Sequence, residues 1–210
     1  LTETHPWNLE RSSQLSRLQV DNPIAVHEVI RVLNRAKVSF VLVGAYGIAG
    51  WLKKPRATEV VDVVVAARQV KKAVRELVAA FPELDPEEHE VVVRLRQRST
   101  KMVAIDVMKP VQPPYMEIFK HTKKTTSGKE SYRIPTLEMA LACKFAPLVS
   151  LTRSETDKQR DAFDFRQMID ANPDIDLDVL EAIGERIFPG GGKELVEKVG
   201  QVRAGKRLTF

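Results

Sequence analysis

Apolar positions along the chain alternate between helical and strand-like spacing, and the changes mark out its elements. After a polar opening stretch, Asn22-Pro23 introduces Val26, Ile30 and Leu33, a spacing that predicts a helix to about Ala36. The run Val38-Ser39-Phe40-Val41-Leu42-Val43 is almost wholly apolar, as in a strand covered on both faces. Gly44 closes it, and 45–53 reads as a short helix carrying the small residues Ala45, Gly47, Ala49 and Gly50. Pro55 breaks that helix. A valine-rich strand follows over 60–66, then an amphipathic helix over 68–80 with Val70, Val74, Leu77 and Val78 inward. The acidic stretch 82–88 reads as a connector. Segments 90–98 and 101–108 form a hairpin over Ser99-Thr100, each with period-two alternation.

Pro110, Pro113 and Pro114 mark a change of character. Beyond them the pattern is mainly helical. A short helix is expected over 115–120, a polar lysine-bearing loop over 121–130, and a short extended piece at Tyr132-Arg133-Ile134. Thr136 caps a helix to about Leu151 with Pro147 inside it, and further helices are expected over 155–171, 177–187 and 193–203. The organisation expected is an N-terminal arm (1–22), an α/β core (23–112) and a helical lobe (113–210). No internal repeat or low-complexity tract is visible.

Charge and composition narrow the classes. Lys plus Arg total 33 against 28 Asp plus Glu, a net charge of +5, which favours phosphate-bearing partners only where the cations cluster. The single cysteine, Cys143, excludes a disulfide scaffold and a cysteine-based zinc site. His5, His27, His89 and His121 show no metal-ligand spacing. No apolar run reaches the ~20 residues of a membrane span, and residues 1–22 lack the apolar core of a secretory signal. A cytoplasmic protein without a membrane partner is the expectation.

The chemistry concentrates between Phe40 and Val65, FVLVGAYGIAGWLKKPRATEVVDVVV. A buried strand, a glycine turn and a helix N-terminus present free backbone amides to a phosphate, and small residues let it approach. An acid on the neighbouring strand can hold a divalent cation against that phosphate.

This stretch resembles the polymerase-beta-type nucleotidyltransferase fold, and within it the abortive-infection (AbiEii-type) and minimal nucleotidyltransferases. Their pattern is Gly-Gly-x-Ala, then Arg-x-Thr-x-Asp-x-Asp, then a third Asp on a later strand. Here Gly44 and Ala45 stand at the two glycines and Gly47 at the alanine. Arg56 and Thr58 match the loop, Asp62 the second acid, and Asp106, in Ile105-Asp106-Val107, the third. Val60 stands where the first acid belongs, so the pair of acids sharing one strand face is broken. Downstream, Ile134-Pro135-Thr136-Leu137-Glu138, Lys144, Arg153 and Lys158-Gln159-Arg160-Asp161-Ala162-Phe163-Asp164 are similar to the family's lysine followed by Lys-Asp-x-x-Asp. The resemblance spans roughly 38–169.

The resemblance implies an α/β nucleotidyltransferase core closed by a helical lobe. It implies transfer of a nucleoside monophosphate from a nucleoside triphosphate to a hydroxyl acceptor such as RNA, in toxin-like members opposed by a cognate antitoxin. Asp62 and Asp106 would hold Mg²⁺ or Mn²⁺, weakly or not at all if the motif is degenerate, and Asp106 would also activate the acceptor. Gly44, Ala45, Arg56, Thr58, Lys144, Arg160, Asp161 and Asp164 would face the substrate. With Val60 in place of an acid, two alternatives stand beside catalysis: a member that binds nucleotide or RNA without turning it over, and a protein-interaction module that keeps the fold.

Several residues carry two readings. Arg56 pairs with Asp62 or Asp106, or touches ligand. Lys144 answers Asp161 or Asp164, or meets phosphate. Arg94, Arg96 and Arg98 share one strand face, either as a solvated guard against edge pairing or as a track for nucleic acid. Lys120, Lys123, Lys124 and Lys129 crowd one polar loop.

Overall fold

The valine-rich segments build the centre of a five-stranded mixed sheet. In the computed structural model, which describes residues 7–19, 24–54 and 57–208, β1 (Phe40–Leu42) runs antiparallel to β2 (Val61–Val65). The strand β2 runs parallel to β5 (Val103–Met108), which is antiparallel to β4 (Val92–Gln97). The edge strand β3 (Leu84–Glu88) closes the order β1-β2-β5-β4-β3. Residues opposite each other in register share a face. One face is therefore an apolar row, with Val63, Val107 and Val93 side by side and Val61, Ile105 and Leu95 beside them, all buried. The other face carries Asp62, Asp106, Arg94 and Glu87 across four strands.

Helices occupy the periods the sequence set. The helix α1 (Trp7–Gln19) buries Leu9, α2 (Val26–Arg35) buries Val26, Val29, Ile30 and Leu33, and α3 (Gly44–Ile48) follows β1 directly and passes into a turn of tighter helix, Ala49–Trp51. The helix α4 (Val70–Ala80) packs on α2, β3 and β5. In the second half, α5 (Leu137–Leu148) is capped by Thr136, whose side chain accepts from the Met139 amide, and Pro147 falls in its last turn. Ser154 caps α6 (Glu155–Ala171), and α7 (Leu177–Glu185) packs on both α5 and α8 (Gly191–Arg203). The last helix starts two residues ahead of the expected 193. No helix among the described residues is long and apolar enough to cross a membrane.

Two expectations are corrected. The stretch 82–88 is a strand: β3 pairs along its whole length with β4, and only Leu84 is buried, so its acids look like a linker in sequence. Pro86 is tolerated because β3 lies at the sheet edge. The polar stretch 121–130 is a strand as well. Here β6 (Thr122–Ser127) pairs with β7 (Glu130–Pro135), and the hairpin packs through β7 on β1 and α2. Thr and Lys hide this strand because only Ser127 of its six residues is buried.

Candidate active site

Asp62 and Asp106 are direct neighbours in the parallel register of β2 and β5, so both side chains leave the same face of the sheet. Gly44, the first residue of α3, lies against Asp62. The Val43 N–H donates to the Asp62 carbonyl at 2.9 Å, tying the end of β1 to β2. Gly44 has φ +60°, and a Cβ there would sit 2.0 Å from Asp62 Oδ2. The Asp62 carboxylate thus occupies the space that glycine alone leaves open. Ala45 follows within α3 and is buried. Thr58 stands in the turn before β2. Its hydroxyl donates to the Val60 carbonyl at 3.3 Å and accepts from the Val60 amide at 3.4 Å, while its own amide donates to Ser16 Oγ of α1 at 2.9 Å. Arg56 lies outside the described residues.

Asp106 meets Arg94, whose Nε lies 3.8 Å from Oδ1, too far for a hydrogen bond. Both atoms are buried and have no hydrogen-bond partner among the described residues. Burial pushes the Asp106 carboxyl above the usual aspartate range, and the guanidinium groups of Arg94 and Arg96, with His89, offset this only in part. The arginine stripe is engaged with β3 and β5: Arg96 pairs with Glu87, and Arg98 Nε with Asp85 Oδ1 at 2.7 Å.

A second charged cluster joins α5 to α6. Lys144 Nζ lies 2.9 Å from Asp161 Oδ1 and 2.8 Å from Asp164 Oδ2. Arg153, in the loop before α6, donates from Nη2 to Asp161 Oδ2 at 3.0 Å and from Nε at 3.3 Å. Burial opposes the Lys144 ammonium, but Asp164 and Asp161 outweigh it and hold the group above the ordinary lysine range. Arg160 faces the other way. It is exposed, 3.8 Å from Asp157, and lines a surface depression with Thr156, Gln159 and Phe163. Of the expected substrate-facing residues, the structure gathers Gly44, Ala45 and Asp62 with Asp106, and separately gathers Lys144, Asp161 and Asp164. It places Arg160 with neither.

Tyr115 opens the turn of tighter helix Tyr115–Lys120. Its phenol is raised well above the ordinary tyrosine value, first by burial and then by Cys143, Asp62 and Asp161, with Arg153 opposing. Sequence reasoning assigned no role to Tyr115, read Arg94 only as part of a strand-face stripe, and quoted Arg153 without a role of its own. Only the proximity of Tyr115 to the proline cluster hints at a fixed position for it.

Two adjacent carboxylates are hard oxygen ligands and suit one Mg²⁺, an ion commonly held by one or two carboxylates with water and phosphate completing its octahedron. The under-satisfied Asp106 Oδ1 fits that reading. No group of three or more His, Cys, Asp or Glu able to hold a metal exists among the described residues.

No family model matches the chain, and no curated protein matches it. Solved structures do. The antibiotic-resistance factor ANT(2'')-Ia aligns over 90% of this chain and 95% of its own with a TM-score of 0.54 at 11% identity. An antigenic nucleotidyltransferase-like protein from Paracoccidioides brasiliensis aligns over 93% and 94%, with a TM-score of 0.49 at 14% identity. The lincosamide antibiotic adenylyltransferase LnuA aligns over 70% of this chain and 96% of its own, with a TM-score of 0.48 at 15% identity. The chain has the nucleotidyltransferase fold: a mixed sheet with flanking helices and a helical second half.

Proposed function

We propose that the protein binds a nucleoside triphosphate with one divalent cation and transfers the nucleoside monophosphate to a hydroxyl acceptor, with pyrophosphate as the leaving group. The observation that carries this reading is the side-by-side placement of Asp62 and Asp106 against Gly44 at the head of α3. Asp62 and Asp106 would hold Mg²⁺ or Mn²⁺, and the bound ion would neutralise phosphate charge and polarise the phosphorus centre. Gly44 and Ala45 bring backbone amides to the phosphates. The desolvated Asp106 carboxylate accepts the proton of the acceptor hydroxyl, a role favoured by its raised affinity for protons. Lys144, Asp161 and Asp164 of the helical half would face the triphosphate.

Incubation with labelled nucleoside triphosphates, Mg²⁺ or Mn²⁺, and either total tRNA or small hydroxyl compounds tests the reading. Label transfer that disappears in Asp62→Ala is expected. Absence of both transfer and metal-dependent triphosphate binding would overturn it.

A second reading, binding without turnover, is favoured by Val60 at the place of the first acid and by Arg94 beside Asp106. It expects a metal-dependent thermal shift with triphosphate but no transfer. Under either reading Val60→Asp, two residues before Asp62, strengthens metal-dependent triphosphate binding. An unchanged affinity in a folded variant would show that this position does not face the site.

A further inference from the structure

Across one sheet face the charged residues stand in a fixed order. Register sets Asp62 of β2 beside Asp106 of β5, Asp106 beside Arg94 of β4, and Arg94 beside Glu87 of β3. Gly44 touches the Asp62 end of this row, where a Cβ on it would meet Asp62 Oδ2. On the proposed reading the triphosphate lies at that end, because Gly44 and Ala45 supply its backbone amides. Arg94 lies on the other side of Asp106, the group that takes the acceptor's proton.

The arginines of the stripe differ in what they hold. Arg96 pairs with Glu87 and donates from Nη1 to the Lys101 carbonyl at 3.0 Å, and Arg98 Nε donates to Asp85 Oδ1 at 2.7 Å. Glu87 also has His89 Nε2 at 3.1 Å from its Oε1, and it makes no hydrogen bond to Arg94 beside it. The Arg94 side chain makes no hydrogen bond at all among the described residues. Its Nε is buried and stops 3.8 Å from Asp106 Oδ1, an atom equally buried and unpaired. Both side chains still reach the surface, Arg94 being 41% and Asp106 22% exposed.

A guanidinium presents its N–H groups as a planar fork that matches an oxyanion with two bonds at once. A desolvated donor without a partner costs free energy that an incoming acceptor recovers. An oxyanion on this fork stands beside Asp106, on the side away from the triphosphate.

We propose that Arg94 binds an oxyanion of the acceptor, so that the acceptor class is a hydroxyl compound carrying a phosphate ester or a carboxylate close to the hydroxyl that reacts. This assignment rests on the transfer reading above and gives it a substrate class. A neutral acceptor leaves the fork empty, and a cationic one is repelled by it.

The test is a nuclear magnetic resonance titration of the intact protein, isotope-labelled at its arginines, with glycerol, glycerate, glycerol phosphate and the dinucleotide ApA. Each titration is run with and without Mg²⁺ and a non-hydrolysable nucleoside triphosphate. Glycerate and glycerol phosphate separate a carboxylate from a phosphate monoester, and ApA adds the phosphodiester of a polynucleotide end. The Arg94 Nε–H signal is expected to move with at least one charged probe and to stay in place with glycerol. Arg94→Gln weakens that probe by about tenfold or more, as the loss of a charge-assisted contact does, and leaves triphosphate affinity unchanged. Arg94→Lys, a point charge without the fork, recovers part of the loss. Arg98→Gln removes the same charge from the stripe and leaves the probe's affinity unchanged, whereas a general positive field would weaken in both variants alike. Charged probes bound no better than glycerol, equal losses in Arg94→Gln and Arg98→Gln, or probe and triphosphate weakened together would overturn the assignment. Probe binding through Arg94 without any triphosphate binding would sustain Arg94 and refute the proposed function. Triphosphate binding beside probe binding indifferent to Arg94 would do the reverse.

Discussion

The two charged clusters of this protein are built on opposite terms. In the helical half, two acids and two cations meet at 2.8 to 3.3 Å and their charges cancel. On the sheet, Asp106 faces a guanidinium nitrogen that stays at 3.8 Å, and its carboxyl is driven above the usual range by burial. A balanced cluster stabilises the fold because each buried charge has its partner. An under-compensated acid costs stability, and sites of this kind are where cations and substrates bind. On the proposed reading the sheet face is the reactive side and the α5–α6 cluster a brace.

The sharpest way to break that contrast is to remove a brace. Asp164 is buried, and Asp164→Ala leaves Lys144 short of one partner, with an expected loss of about 3 kcal/mol in urea unfolding. Asp106→Asn should behave in the opposite way. Transfer falls by about 10²-fold or more as the proton acceptor is lost, while the melting temperature of the ligand-free protein holds or rises.

The same asymmetry governs pH. The folded-state value of Asp106 is raised, so the native state keeps a proton that the unfolded chain has released. Its contribution to stability is present at low pH and is lost as pH rises from the ordinary aspartate value through the raised one. Activity runs the other way: transfer drops as pH falls through the raised value, at a higher pH than an ordinary aspartate gives. The acid limb should therefore shift in Arg94→Gln, which removes a cation that lowers the Asp106 value, and it should shift upward. Lys144 is also raised, so its stabilising pairing persists through neutral pH and is lost as pH rises from the ordinary lysine value through the elevated one.

Gly44→Ala sharpens the sheet side. A side chain at φ +60° costs about 1–2 kcal/mol, and its Cβ, 2.0 Å from Asp62 Oδ2, forces the carboxylate to move. Metal-dependent triphosphate binding should fall by more than the stability loss alone explains, read by titration beside urea unfolding. The smallest effect concerns Cys143. Burial pushes its thiol up to about 12, so alkylation followed by mass spectrometry should find it unmodified at pH 8 until the protein is denatured.

Much of the sheet side was legible in the chain. The run Phe40 to Val43, the glycine that ends it and the valines around Asp62 have one reasonable folding, and Asp106 between Ile105 and Val107 had to leave the apolar row. What stayed hidden depends on partners far away in sequence. Strand β3 buries only Leu84, and β6 only Ser127, so edge strands with one pairing partner show little of the alternation that identifies a strand. Their acids and lysines acquire meaning through register, as when Glu87 and Asp85 answer Arg96 and Arg98. Arg153 was hidden for a similar reason. Eight residues before Asp161, in a loop, it has no periodicity to mark it, and only the packing of α5 on α6 shows which carboxylate it serves.

The account stands most directly on a Mn²⁺ titration in the presence of a non-hydrolysable nucleoside triphosphate, followed by electron paramagnetic resonance. One ion bound per chain, weakened at least tenfold in both Asp62→Asn and Asp106→Asn while both variants remain folded, is the result the geometry predicts. Affinity unchanged by either substitution, or two ions held with equal strength, would contradict it.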